Sequence, residues 1–150
     1  MGRLLRVAER IGQLGEIPVA AALLDPQGRC IGWGSNGRER RSDPLGHAEL
    51  SALQQGAQVL GDWRFNGCTL LVTLEPCPMC AGALVQARVG RVVYGTADPK
   101  RGALGSCLDL AQHPTAHHRM RVVQGVLAVQ ASNQLSGWFR QRRAQAAATG

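Results

Sequence analysis

Residues 68–95, CTLLVTLEPCPMCAGALVQARVGRVVYG, carry the pattern that decides the fold. Cys68 to Leu74 is apolar and β-branched, as a buried strand requires. Cys77 to Ala87 is rich in Ala, Leu and Met, which favours helix. Arg91 to Gly95 is strand again. A strand, a helical crossover and a second strand make a parallel pair, because a tight turn can only return the chain antiparallel.

Upstream, residues 3–15 place Leu4, Leu5, Ala8, Ile11 and Leu14 on one face of an amphipathic helix. Glu16-Ile17-Pro18 breaks it, and Val19 to Leu24 reads as a buried strand. Asp25-Pro26-Gln27-Gly28 has turn chemistry, so Arg29 to Trp33 is the returning arm of a hairpin. Gly34 to Gly46, with Arg38, Arg40 and Arg41, reads as a loop. Ala48 to Leu60 regains helical spacing.

Downstream, a glycine-containing loop runs through Gly105. Residues 107–118 read as a short helix followed by a His-rich loop. Arg121 to Gln124 is a strand, and Val126 to Ala148 a long helix. Five strands, one hairpin and helical crossovers predict an α/β fold with a five-stranded mixed sheet, in a single domain spanning 1–150.

The chain has 150 residues, 45% of them hydrophobic, which suits a globular protein. Its longest apolar runs are strand-length, so no membrane span is expected. No signal peptide is recognisable at the N-terminus, and the cytoplasm is the expected compartment. The net charge of +7 is almost wholly arginine, since Lys100 is the only lysine. Arginine suits bidentate phosphate contacts and stacking on bases, which makes a nucleic acid a candidate partner. Of five cysteines, only Cys77 and Cys80 are closely spaced. Cys30, Cys68 and Cys107 read as small buried hydrophobes.

Cys77 and Cys80 are i and i+3 at a helix start, so both sulfurs can share a face where the helix dipole favours thiolates. His47 opens the preceding helix and adds a nitrogen. This donor set suits Zn²⁺, and with no fourth ligand in reach the site keeps a position open for water, as catalytic zinc does. Glu49 cannot ligate alongside His47 from mid-helix, because residues two apart diverge by roughly 200°. It can reach a pocket beyond the helix end and act there on the protons of the bound water. His113, His117 and His118 are irregularly spaced across Pro114 and read as a loop without metal.

His47-Ala48-Glu49 followed, after 26 residues, by Pro76-Cys77-Pro78-Met79-Cys80 is the motif of the zinc nucleobase deaminases, and the mechanism is taken from that resemblance. Zinc-activated water attacks the carbon bearing the amine, and the Glu moves protons to the ring and to the leaving ammonia. Thr73 to Ala83 resembles the hallmark segment of the bacterial tRNA-specific adenosine deaminases. Glu16-Ile17-Pro18-Val19, Asn36, Asp43-Pro44, the loop from Gly95 to Ser106 and Trp138-Phe139-Arg140 with Arg142-Arg143 resemble further parts of that family.

The resemblance implies a three-layer α/β/α cytidine-deaminase-like fold, a homodimer with one Zn²⁺ per subunit, and conversion of adenosine to inosine at the wobble position of a tRNA anticodon. By position, His47, Cys77 and Cys80 match zinc ligands and Glu49 the catalytic proton shuttle. Asn36 and Ala48, the latter through its backbone, match residues that hold the flipped base. Asp98, Phe139 and Arg142 fall where members contact neighbouring nucleotides of the anticodon stem-loop. Ala20, next to the base pocket, stands where the family usually has Gly, and Leu45-Gly46 replaces Thr-Ala; both bear on substrate preference.

Two other functions fit the same motifs. One is a small-molecule guanine, cytosine or nucleoside deaminase of the same superfamily. The other is a non-catalytic RNA-binding module with a structural zinc. Glu49 argues against the second, since a closed structural site has no use for a carboxylate beside an open coordination position.

Overall fold

The computed structural model describes residues 1–149. In chain order the elements are α1 (Gly2–Gln13), β1 (Ala20–Leu24), β2 (Cys30–Ser35), α2 (Arg38–Arg41), α3 (Ala48–Leu60), β3 (Thr69–Leu74), α4 (Pro78–Gln86), β4 (Arg91–Thr96), β5 (Arg121–Val123) and α5 (Ala128–Thr149). The five strands form one sheet in the order β2-β1-β3-β4-β5. β1 pairs antiparallel with both β2 and β3, while β3–β4 and β4–β5 are parallel, so the sheet is mixed as expected.

Alternation along the strands feeds two apolar layers. Ala21 and Leu23 of β1, Leu70 and Val72 of β3, and Val92 and Tyr94 of β4 pack with Ala52 and Leu53 of α3 and Leu84 and Val85 of α4. On the other face Ala20 and Ala22 meet Leu4 and Ala8 of α1, with α5 lying against β4 and α1. This is the three-layer α/β/α arrangement. The close seat of α3 on the edge strand depends on two glycines of β2. A Cβ at Gly32 would strike the Ala52 carbonyl oxygen, and one at Gly34 that of Ala48.

Several local expectations are corrected. The stretch 34–46 is not wholly loop: β2 runs on to Ser35, and Arg38–Arg41 make one helical turn. Its Glu39 and Arg40 N–H groups donate to the Glu16 carboxylate at 2.9 and 3.2 Å, a partner more than twenty residues away that no local pattern reveals. Residues 107–118 contain no helix. A bridge between Leu104 and Asp109 and turns around Pro114 take its place, and the Asp109 carboxylate accepts the Gln112 N–H. Cys68 is buried, but Cys30 and Cys107 are exposed. Cys30 opens an edge strand, and Cys107 sits on a surface loop with its thiol donating to the Pro99 carbonyl. No helix among the described residues is long and apolar enough to cross a membrane.

Candidate metal centre and substrate cavity

Helices α3 and α4 bring their N-termini together at the C-terminal end of β3. His47 and Cys77 are the N-cap residues of these helices, both with extended backbone, and Pro78 takes the first position of α4, where its missing N–H costs nothing. His47 Nδ1 lies 3.7 Å from Cys77 Sγ and 3.4 Å from Cys80 Sγ, and the three donor atoms fall within 4.8 Å of one another. A tetrahedral zinc about 2.3 Å from sulfur and about 2.0–2.1 Å from nitrogen separates N and S ligands by about 3.5 Å. The two measured distances bracket that value, so the residues fit the ion, and Nδ1 is the nitrogen turned toward it. The three side chains are positioned to bind zinc.

The charges agree. A hydrogen bond from the Cys80 thiol, against the opposing effect of burial and with help from His47, pulls the Cys77 thiol down to about 3. Its hydrogen bond to Cys77 and its burial push the Cys80 thiol upward. Without metal, the pair therefore holds one thiolate and one thiol; a zinc ion takes both as thiolates. The hydrogen bond with Cys77 raises the His47 pKa, with burial opposing.

A cavity of about 550 Å³ opens beside this cluster, of a size that admits a nucleoside. His47, Glu49 and Cys77 form its floor, with Asn36 and Arg38 on one wall and Asp98 to Arg101 on another. Leu135, Ser136, Phe139, Arg140 and Arg143 of α5 also line it. Glu49 is 4% exposed, and burial raises its carboxyl pKa.

The expected substrate contacts divide. Asn36, Asp98 and Phe139 line the cavity. Asp98 Oδ1 also accepts the Lys100 and Arg101 N–H groups and so caps its own turn. Ala48 is buried as the first residue of α3, a position that leaves its N–H without an intrahelical partner. Arg142 does not reach the cavity: its guanidinium lies 5.6 Å over the Trp138 ring, in a separate hollow between α1 and α5. Consecutive helical residues diverge by about 100°, so Arg140 and Arg143 line the cavity and Arg142 turns away. Ala20 faces Leu4 and Ala8 in the α1 layer and not the cavity.

Sequence reasoning passed over two buried glutamates that build the walls. Glu16, fully buried, accepts the N–H groups of Ile17, Glu39 and Arg40 and the Asn36 amide. Burial alone would raise its carboxyl pKa, but these four donors hold it below the usual value. Glu75 accepts the N–H groups of Asp98, Leu104 and Ser106 and the Ser106 hydroxyl, which folds the loop onto the cavity rim. The available signal was a carboxylate at the edge of an apolar strand beside a proline, in Glu16-Ile17-Pro18 and Glu75-Pro76.

Gly102 sits where a Cβ would collide with the Glu75 carboxylate. Gly102→Ala is therefore expected to displace that carboxylate, lower the melting temperature by about 5 °C and cut kcat/KM on the order of tenfold. A thermal melt and steady-state kinetics check both. Wild-type values would show that Glu75 does not hold the loop.

Residues 1–96 match the cytidine and deoxycytidylate deaminase zinc-binding region. A tRNA-specific adenosine deaminase of Haemophilus influenzae is 44% identical over 139 residues, covering 93% of this chain and 80% of that one. Among solved structures, one from studies of A-to-I editing by tRNA:A34 deaminases superposes with a TM-score of 0.84 at 36% identity, covering 88% of this chain and 95% of that chain. The guanine deaminase of Bacillus subtilis superposes with a TM-score of 0.62 at 27% identity, covering 95% and 90%. A matched zinc-binding region in which His47, Cys77 and Cys80 converge, and 44% identity over 93% of the chain to a tRNA-specific adenosine deaminase, make this chain a member of the zinc-dependent cytidine and deoxycytidylate deaminase family.

Proposed function

We propose that the protein converts the wobble adenosine of a tRNA anticodon to inosine, with residues 1–150 acting as one deaminase domain. The observation that carries this reading is 44% identity along nearly the whole chain to a tRNA-specific adenosine deaminase, against 27% to a guanine deaminase of looser superposition.

His47, Cys77 and Cys80 hold the zinc, which when bound supplies the Lewis acidity that lowers the pKa of water. Glu49 sits on the cavity floor beside them, and its burial raises the affinity of its carboxylate for a proton. It carries the attacking water's first proton to the ring nitrogen, then moves the second, from the hydroxyl added to the ring carbon, to the amine, which departs as ammonia as the C–N bond breaks. Asn36 and the backbone at Ala48 orient the base. Asp98 and Phe139, which line the cavity, contact the flanking nucleotides. An anticodon loop is unpaired, so extruding its base costs little.

The substrate assignment is tested by deamination assays on adenosine-wobble tRNA beside free adenosine, guanine and cytidine. Efficient turnover of free guanine or cytidine with none on tRNA would place the protein in the small-molecule branch. The same reading carries a cytoplasmic homodimer, which analytical ultracentrifugation checks by mass.

The geometry of α5 sharpens the role of its arginines. Arg140→Ala with Arg143→Ala is expected to raise KM for tRNA about tenfold, with a smaller fall in kcat and a shallower salt dependence, because two cations leave the phosphate-facing rim. Arg142→Ala, which removes only a cation stacked on Trp138, is expected to leave KM near wild type. The reverse ranking would mean that Arg142 turns to the RNA.

A further inference from the structure

Among the described residues, every buried side-chain nitrogen and oxygen has a hydrogen-bond partner. Asn36 is 7% exposed and lines the cavity, and its amide nitrogen donates to Glu16 Oε1 at 2.9 Å. Its Oδ1 makes no hydrogen bond to the described residues, so that oxygen is not among the buried atoms and opens onto the cavity. An Asn amide can turn over, exchanging oxygen and NH₂, and a neighbouring group decides which way it lies. Here the neighbour is a carboxylate, which offers acceptors only. Glu16 is itself fixed: Oε1 also takes the Ile17 N–H at 3.1 Å, and Oε2 takes the Glu39 and Arg40 N–H groups at 2.9 and 3.2 Å.

We propose that Glu16 is the positioning residue for substrate recognition, locking the Asn36 amide with Oδ1 toward the cavity so that the site selects a hydrogen-bond donor on the bound nucleoside. The proposal rests on the reading of the cavity as the nucleoside site. It also narrows that reading. The ring nitrogens N3 and N7 of adenine only accept, as N1 does, so the donors that can meet Asn36 Oδ1 are the exocyclic amine and the ribose hydroxyls. The same carboxylate holds the backbone of Glu39 and Arg40, which ties the orientation of Asn36 to the seat of Arg38 on the same wall.

The test exchanges the acid and the amide. Glu16→Gln preserves volume, but its amide has one acceptor end. The Glu39 and Arg40 N–H groups cannot turn away, whereas the Asn36 amide can. The glutamine oxygen therefore stays with Glu39 and Arg40, its NH₂ faces residue 36, and Asn36 flips to present NH₂ to the cavity; the Ile17 N–H loses its acceptor equally in the single and double glutamine variants. The expected fall in kcat/KM is on the order of 10- to 100-fold, the range for one mispaired polar contact. Asn36→Asp beside the native Glu16 apposes two carboxylates and is expected to fall at least as far.

The double variant Glu16→Gln with Asn36→Asp restores the pattern at unchanged net charge. Its glutamine NH₂ donates to the new carboxylate, whose second oxygen again faces the cavity as an acceptor. Recovery to within about threefold of wild type is expected, since contacting residues are not additive. Zinc content and melting temperature are read for all four proteins. A double variant no better than the poorer single variant overturns the proposal. So does one that regains its melting temperature but not its kcat/KM, because the pair would then be structural only. A wild-type protein inactive on tRNA would instead overturn the substrate assignment, and the series is then run, by the same rescue criterion, on whichever of guanine, adenosine or cytidine it turns over.

Discussion

Glu49→Ala is expected to keep its zinc and its fold while losing deaminase activity by a factor on the order of 10²–10⁴. The carboxylate belongs to the second residue of α3 and is 4% exposed, yet it lies on the cavity floor and outside the trio of His47, Cys77 and Cys80. Its removal leaves those three donors where they are. What disappears is a buried group whose burial favours the protonated form and which therefore can accept a proton and hand it on. Metal analysis and a melting curve beside the rate separate the two roles: a zinc-free Glu49→Ala protein would make Glu49 a ligand. Glu49→Gln, which keeps the size of the side chain and abolishes proton transfer, is expected to be as inactive as the alanine variant. Near-wild-type activity in the glutamine variant would mean the group only fills space.

Cys80→Ser is expected to fall well below one zinc per chain, to lose activity to background and to melt at a lower temperature that added zinc no longer raises. Cys80 is fully buried on the first turn of α4, with its sulfur 3.4 Å from His47 Nδ1. Serine has nearly the same shape, so the change tests ligand chemistry more than packing. A hydroxyl is a far poorer donor to zinc than a thiolate, and it leaves two good donors where three side chains are positioned to hold the ion. Metal that binds only the folded chain stabilises it by mass action, so losing the ion lowers apparent stability as well as activity. Full occupancy in purified Cys80→Ser, measured by elemental analysis, would overturn the ligand assignment.

The elements and the reactive cluster were legible because their causes are local. Alternating and continuous apolar runs mark β1 to β5 within a residue or two of their ends, and the Pro-Cys-Pro-Met-Cys segment announces both a helix start and a pair of sulfurs on one face. The cluster joins two helix N-caps from segments thirty residues apart, and its motif spacing was enough to pair them.

Other features lay beyond reach because their causes are distant in the chain. The single turn of α2 exists because Glu16, more than twenty residues earlier, accepts two of its N–H groups. The turns of 107–118 reflect how the loop settles against the connection between α4 and β4: His118 Nε2 lies 2.9 Å from the Val89 carbonyl oxygen. Cys30 and Cys107 looked buried by their apolar neighbours, yet an edge strand and a rim loop leave them in water.

By itself the sequence determined the α/β fold, the mixed sheet, the zinc donor set and the carboxylate beside it, since each follows from residue type at short spacing or, for the pairing of His47 with the two cysteines thirty residues on, from the motif they form together. Tertiary structure alone decided the walls of the cavity. The rotation of α5 against the sheet puts Arg140 and Arg143 over the cavity and leaves Arg142 on Trp138. Two buried carboxylates, Glu16 and Glu75, collect backbone donors from loops remote in sequence and so fix Asn36 on one side and Asp98 on the other. The physical reason is that an acceptor buried away from water must find donors wherever the folded chain brings them, and sequence spacing does not record where that is.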